Sequence, residues 1–198
     1  MVGTENLRRP RVVHDPEGLL LDLGFEVAAV DLRRDAAAIL ASLPRAASCT
    51  GGAHAGDYRW LLGELAAGRA LRIRCGGPEH LGKDGAVWSA DRFFQSGHVF
   101  FGDGEGGAKG PFLDAISGTE EDALYQTERW FSSKHIHPQG YRLSLIPGRY
   151  RATLHFAEIF YPEPGERIFD VLVEGQTVLE AYKPVRAGFA AADIHRFE

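Results

Sequence analysis

Asparagine occurs once in this sequence, at Asn6, and the following Leu7-Arg8 rules out an N-glycosylation sequon. No apolar run approaches the ~20 residues that a membrane-spanning helix needs. The opening stretch MVGTENLRRPRVVHDPEG carries arginines without the apolar core of a signal peptide. The chain as given is therefore expected to lack its own export signal and to make no membrane contact itself. Cysteine is scarce, with only Cys49 and Cys75 present. Neither lies in a C-x-x-C motif, so one disulfide and two thiols both stay open. Basic charge is not in excess either. Against 27 acidic residues stand 22 lysines and arginines, a formal net charge of -5, which argues against a nucleic-acid partner.

What is present is ordinary for a globular chain: 44% hydrophobic and 25% charged residues over 198 positions, enough for one medium domain or one domain with a small companion. Up to about residue 70 the pattern leans helical. DLRRDAAAILASLP predicts a short helix that Pro44 stops, and SCTGGAHAG is a small-residue linker. DYRWLLGELAAG predicts a second helix, with Asp57 as N-cap and Gly68 as the C′ residue. Trp60, Leu61, Glu64 and Leu65 fall there at helical spacings.

After residue 70 the signal turns to strands. In YRLSLIPGRYRATLHF, Tyr141, Leu143 and Leu145 alternate with Arg142 and Ser144, Pro147-Gly148 form a turn, and the alternation resumes. Tyr150, Ala152, Leu154 and Phe156 then share a buried face, while Arg151, Thr153 and His155 share the other. RIFDVLVEGQTVLEAY repeats the pattern, with Glu174-Gly175 at the turn. Short strands between Gly and Pro turns predict a mainly-β fold, a jelly-roll-like β-sandwich preceded by a small helical N-terminal region.

Several chemical motifs fall short of a site. Gly102 to Gly107 spell G-x-G-x-x-G, but two acids inside it repel a pyrophosphate and no helix pattern follows. The acids Asp103, Glu105, Asp114, Glu120, Glu121 and Asp122 lack EF-hand spacing. His135, His137 and His98 have no carboxylate or cysteine frame, and no G-x-S-x-G elbow occurs. No cofactor or metal is therefore expected. Glycoside hydrolysis needs two carboxyls about 5 Å or more apart across a groove, for which Glu128, Glu158 and Asp170 are available. Glu158 shares the parity of Leu154 and Phe156, which predicts a buried carboxylate bonded to an arginine such as Arg129 or Arg167.

The aromatics carry more. Phe100-Phe101, Trp130-Phe131 and Phe160-Tyr161 are adjacent rings where a strand meets a loop. One of each pair must point away from the core. Rings at loop mouths offer apolar area to a sugar face, with ordinary rim packing as the competing account.

LRIRCGGPEH, DGAVWSADRFF, DALYQTERW and GRYRATLHFAEIFYPEPGERIFDVLVEGQTVLEAY together resemble the malectin domain family. The resemblance runs from about Leu71 to the end of the chain. It implies a galactose-binding-like β-sandwich, lectin-like and without catalytic residues, over 71–198, with residues 1–70 a helical and linker region of unassigned role. It further implies a glucose-containing oligosaccharide as partner. Trp130, Phe160 and Tyr161 match the family's ligand-binding rings, and Phe100 or Phe101 is the candidate for a third position. A ligand-binding aspartate of the family lies in a D-N-P-K-like segment, which this sequence does not reach before Phe197-Glu198. The chain is accordingly expected to lack the domain's C-terminal end and to form part of a larger protein. The family also implies the endoplasmic reticulum lumen or the cell exterior, against the visible N-terminus. Within ALYQTERW, Tyr125 and Glu128 are expected as framework with Arg129 as their partner, and Trp130 under a sugar ring. Two rival expectations are a protein-interaction or ligand-sensing fragment and a glycosidase working through Glu158 and Asp170.

Overall fold

Between β-paired residues the chain reverses in two residues at Val173-Glu174-Gly175-Gln176. Gln176 pairs with Val173, and both central residues take positive φ, 52° at Glu174 and 78° at Gly175. That is the two-residue loop whose twist matches the strands on either side. In the computed structural model, residues 19–22, 24–29, 37–38, 41, 54–100, 112–132, 139–143, 145 and 148–198 are described. Within them run β1 (Leu19–Asp22), β2 (Gly24–Ala29), α1 (His54–Ala66), β3 (Leu71–Ile73), β4 (His80–Leu81), β5 (Val87–Trp88) and β6 (His98–Phe100). There follow α2 (Asp122–Tyr125), β7 (Glu128–Ser132), β8 (Tyr150–Phe156), β9 (Phe169–Val173), β10 (Gln176–Tyr182), a 3₁₀ turn (Pro184–Ala187) and β11 (Asp193–Phe197).

The fold is mainly β. One sheet has the order β11-β8-β2-β3, a second β1-β7-β6, and the pairs β9-β10 and β4-β5 complete the ladders, all antiparallel. Leu61, Leu62 and Leu65 of α1, Leu71 and Ile73 of β3, Phe131 of β7, Phe156 of β8, Phe169 and Val171 of β9 and Tyr182 of β10 form one buried cluster. Each fully buried leucine or isoleucine there contributes about 1.5–3 kcal/mol relative to exposure. No helix among the described residues is long and apolar enough to cross a membrane.

Helix α1 ends as its sequence predicts. Gly68 has φ 66°, its N–H donates to the Leu65 carbonyl at 2.9 Å, and the Arg69 N–H donates to the Glu64 carbonyl at 2.9 Å. This is the paired bonding of a Schellman cap. The start differs from expectation. The helix begins at His54, so Asp57 sits in its first turn rather than at the N-cap, with Arg92 at 3.6 Å. Of the earlier predicted helix, residues 37, 38 and 41 are helical and the rest lies outside the described residues.

Two further readings are corrected by pairing. Residues 19–22 and 24–29 lie in the part read as leaning helical, yet they form β1 and β2, and β2 bonds to both β3 and β8. The predicted hairpin between 141–145 and β8 does not form among the described residues. Tyr141 makes an isolated bridge to Phe94, and β8 takes β2 and β11 as neighbours instead.

A second cluster, Trp88, Ile116, Leu124, Tyr125, Ala157 and Ile159, covers the face of β8 that alternation marked as polar. His155 stands edge-on to Trp88 at 5.2 Å, and its Nδ1 shares a 2.9 Å hydrogen bond with the Tyr125 hydroxyl. Burial, helped by Arg196, pushes the imidazole pKa down to about 4. Its stabilising share is present above the unfolded pKa of about 6.5 and is lost as pH falls through 4. Thermal melts between pH 7 and pH 4 should show a loss of about 2–3 kcal/mol from this group, and His155→Gln should make that slope shallower.

Candidate functional site

Strand alternation divides β7 into two faces. Arg129 and Phe131 point one way, Glu128 and Trp130 the other. On the first face Arg129 Nε donates to Asp91 Oδ2 at 2.7 Å, and its Nη1 donates to the Ser96 and Gly97 carbonyls. Its guanidinium lies 3.4 Å from the centre of the Phe94 ring. Asp91 also accepts from the Gly76 N–H at 2.8 Å and from the Tyr141 hydroxyl at 2.9 Å. Arg129 is thus not the partner of Glu128 or Tyr125. Adjacent strand residues face opposite sides, and Tyr125 is engaged by His155.

The second face carries a buried ionic cluster. Glu158, Arg167 and Glu128 are 0%, 2% and 3% exposed. Arg167 Nη1 donates to Glu158 Oε1 at 2.5 Å, and the backbone N–H groups of Phe160 and Tyr161 donate to the same oxygen at 2.9 Å each. Glu158 is therefore held by Arg167, one of the two arginines that its parity suggested. Three atoms of the cluster, Glu128 Oε2, Glu158 Oε2 and Arg167 Nε, are buried without a hydrogen-bond partner. Burial pushes the Glu128 pKa up to about 8; the Arg167 charge pulls it back and the Glu158 charge pushes it further. Glu128 is accordingly a neutral acid at pH 7.

Two of the candidate rings sit directly on the ion pair. Phe160 and Tyr161 are half-buried and stand edge to face, 4.7 Å between centres. The Arg167 guanidinium lies 4.8 Å over the Tyr161 ring, a cation–π contact. Trp130, two residues along β7 from Glu128 and also half-buried, stacks on His98 of β6 at 4.5 Å. Phe100 pairs with Glu128 through its backbone. Phe101 lies outside the described residues, as do Asp103, Glu105, the 102–107 glycine-rich motif, His135 and His137. Among the described residues no group of three His, Cys, Asp or Glu is placed to hold a metal ion.

Of the carboxyls weighed for hydrolysis, Glu158 is closed to a substrate. Glu158 reaches no solvent, so it has no path for handing a proton to a glycosidic oxygen. Asp170 Oδ1 accepts the Ala181 N–H at 2.7 Å. Sequence reasoning missed His98 as the stacking partner of Trp130 and Asp91 as the anchor of Arg129. Both relations come from strand register and chain reversal, which leave no local signal.

A family model described as Malectin domain matches residues 69–192, more than half of the chain. The chain is similar to Malectin-A of Xenopus laevis, 36% identical over 75 residues, which are 37% of this chain and 25% of that protein. It is similar to Malectin-B of Xenopus laevis at 35% identity over 75 residues, again 37% of this chain and 25% of the relative. The chain thus matches a quarter of the length of these curated relatives. No solved structure matches it.

Proposed function

The chain belongs to the malectin family, and from that premise we propose that it binds carbohydrate, a glucose-containing oligosaccharide, as a module without catalysis. The observation that carries this reading is the half-buried Phe160–Tyr161 pair, edge to face and held by the buried Glu158–Arg167 ion pair, to which this reading adds the half-buried Trp130 of β7. A pyranose has an apolar C–H face and a rim of hydroxyls. Rings fixed by a rigid support meet the first, and the tyrosine hydroxyl and indole N–H meet the second. His98 covers part of one face of Trp130, so the sugar stacks on the opposite face.

Affinity should be micromolar or weaker, because each sugar hydroxyl exchanges water hydrogen bonds for protein ones at little net gain. Titration of the full chain with maltose and with nigerose, followed by NMR, is the test. Binding that shifts the Trp130, Phe160 and Tyr161 resonances is the expected result. Trp130→Ala should weaken it by about 1–2 kcal/mol, roughly five- to thirtyfold. Undiminished affinity in that variant would move the site away from this ring, and no binding of either sugar would sink the glucose reading.

A further inference from the structure

A recess of about 280 Å³ opens where β10 ends, lined by Leu179, Glu180, Ala181, Tyr182, Lys183 and Arg186. None of the candidate rings lines it. The sequence builds it by interrupting a strand. β10 twice gains a residue on its neighbour β9, between Thr177 and Leu179 and between Leu179 and Tyr182, and each bulge bends the strand and re-aims its side chains. At the second irregularity Ala181 holds φ 44°, a left-handed conformation unfavourable for any residue with a Cβ. Asp170 of β9 secures it, since its Oδ1 accepts the Ala181 N–H at 2.7 Å. Strained backbone of this kind persists where its surroundings over-determine it, and it gathers at ligand clamps.

The 3₁₀ turn then starts at the buried Pro184, whose ring presets the backbone angle the turn needs. The Arg186 N–H donates to the Lys183 carbonyl at 3.0 Å. Residues three apart in such a turn eclipse one another, so Lys183 and Arg186 project to the same side, and both line the recess. Among the described residues neither has an acid within ion-pair distance, in a chain whose net charge is -5. Glu180 is the one acid of the lining.

Two cations held side by side suit a dianion better than a single carboxylate. A phosphomonoester carries a charge of about -1.5 to -2 at pH 7 and three acceptor oxygens. An arginine fork takes two of those oxygens and a lysine adds a point charge. Leu179 and Ala181 offer apolar contact to a carbon skeleton. Glu180 repels a phosphate but accepts from hydroxyls, which sets the two ends of a ligand apart. The volume lies just below the roughly 300 Å³ at which small-molecule sites begin, so it fits one sugar ring and not a chain of them. We propose that this recess binds a phosphorylated monosaccharide, with Lys183 and Arg186 on the phosphate and Glu180 on the hydroxyls. Binding is reversible, and no bond is made or broken.

The inference stands apart from the proposed maltose site and is tested without it. Glucose 6-phosphate titrated into the full chain, followed by amide NMR, should shift residues 179–183 and 186 and bind less tightly as salt is added. Lys183→Gln and Arg186→Gln, both at exposed positions, should each weaken that binding by about tenfold or more. Neither should change the thermal midpoint or the response to maltose. Inorganic phosphate should bind more weakly than glucose 6-phosphate, and glucose alone should leave these residues unmoved. Inorganic phosphate that binds as tightly as the sugar phosphate would mean an anion site without selection for sugar. Undiminished affinity in the double variant would place the phosphate elsewhere. Either result overturns the proposal, as does the absence of any shift at these residues. Failure of maltose to bind would count only against the rings.

Discussion

Arg167→Met should destabilise the folded chain by about 3–5 kcal/mol at pH 7. The substitution keeps an unbranched apolar stem, shorter than that of arginine, and removes the charge. Glu158 is then left fully buried with two backbone N–H donors and no counter-ion, and an uncompensated buried charge is among the few single-site changes that reach this size. The loss should be largely a property of the orphaned acid. Adding Glu158→Gln to Arg167→Met should therefore recover a substantial part of it, as buried ion pairs replaced whole are close to neutral. Arg167→Lys should fall between, since a lysine supplies charge without the planar fork or the stacking surface over Tyr161. Urea denaturation of the four chains of the cycle measures the coupling. Additive losses would mean that Glu158 is compensated by groups other than Arg167. By contrast, the exposed Arg151–Glu198 pair should be nearly silent in the same assay.

Gly76→Ala is expected to prevent β7 from docking and so to unfold the chain or reduce its stability by more than about 4 kcal/mol. A Cβ at this position would sit 1.9 Å from the Glu128 carbonyl oxygen and 2.9 Å from the Arg129 nitrogen. Those are backbone atoms of a central strand, with no flexible side chain to give way. The residue also holds φ 69° while its N–H donates to Asp91, the carboxylate that anchors Arg129. Gly85→Ala separates the two causes. Gly85 has φ 79° with no atom within 4 Å of an added Cβ, so it should cost only the left-handed strain of about 1–2 kcal/mol. Equal urea midpoints for the two variants would show that steric overlap at Gly76 is relieved by movement of β7.

Much of this molecule was legible where a residue's demand is local. Glu174-Gly175 marks a hairpin because a two-residue loop requires positive φ at both positions, and Gly68 closes α1 because only an unhindered residue adopts that conformation cheaply. The burial of Glu158 followed from its parity with Leu154 and Phe156. Partners were not legible in the same way. Arginines at 129 and 167 are equally plausible for Glu158 in the sequence. Strand alternation turns Arg129 to the far side of β7, and only the return of the chain before β9 brings Arg167 to the acid. The misread face of β8 has the same origin. His155 looks solvent-facing until Trp88 and Tyr125 are laid against it.

The sequence by itself determined the strand-rich character of the chain, the hairpin at 174–175, the helix end at Gly68 and the family to which the chain belongs, since each depends on residues a few positions apart or on motif text. The tertiary structure alone decided that residues before 30 complete the sheets, that Arg167 and not Arg129 neutralises Glu158, and that the Glu158 carboxylate holds the backbone of Phe160 and Tyr161. Hydrogen-bond register and burial join residues many tens of positions apart, and the free energy of a buried charge depends on which of them arrive together.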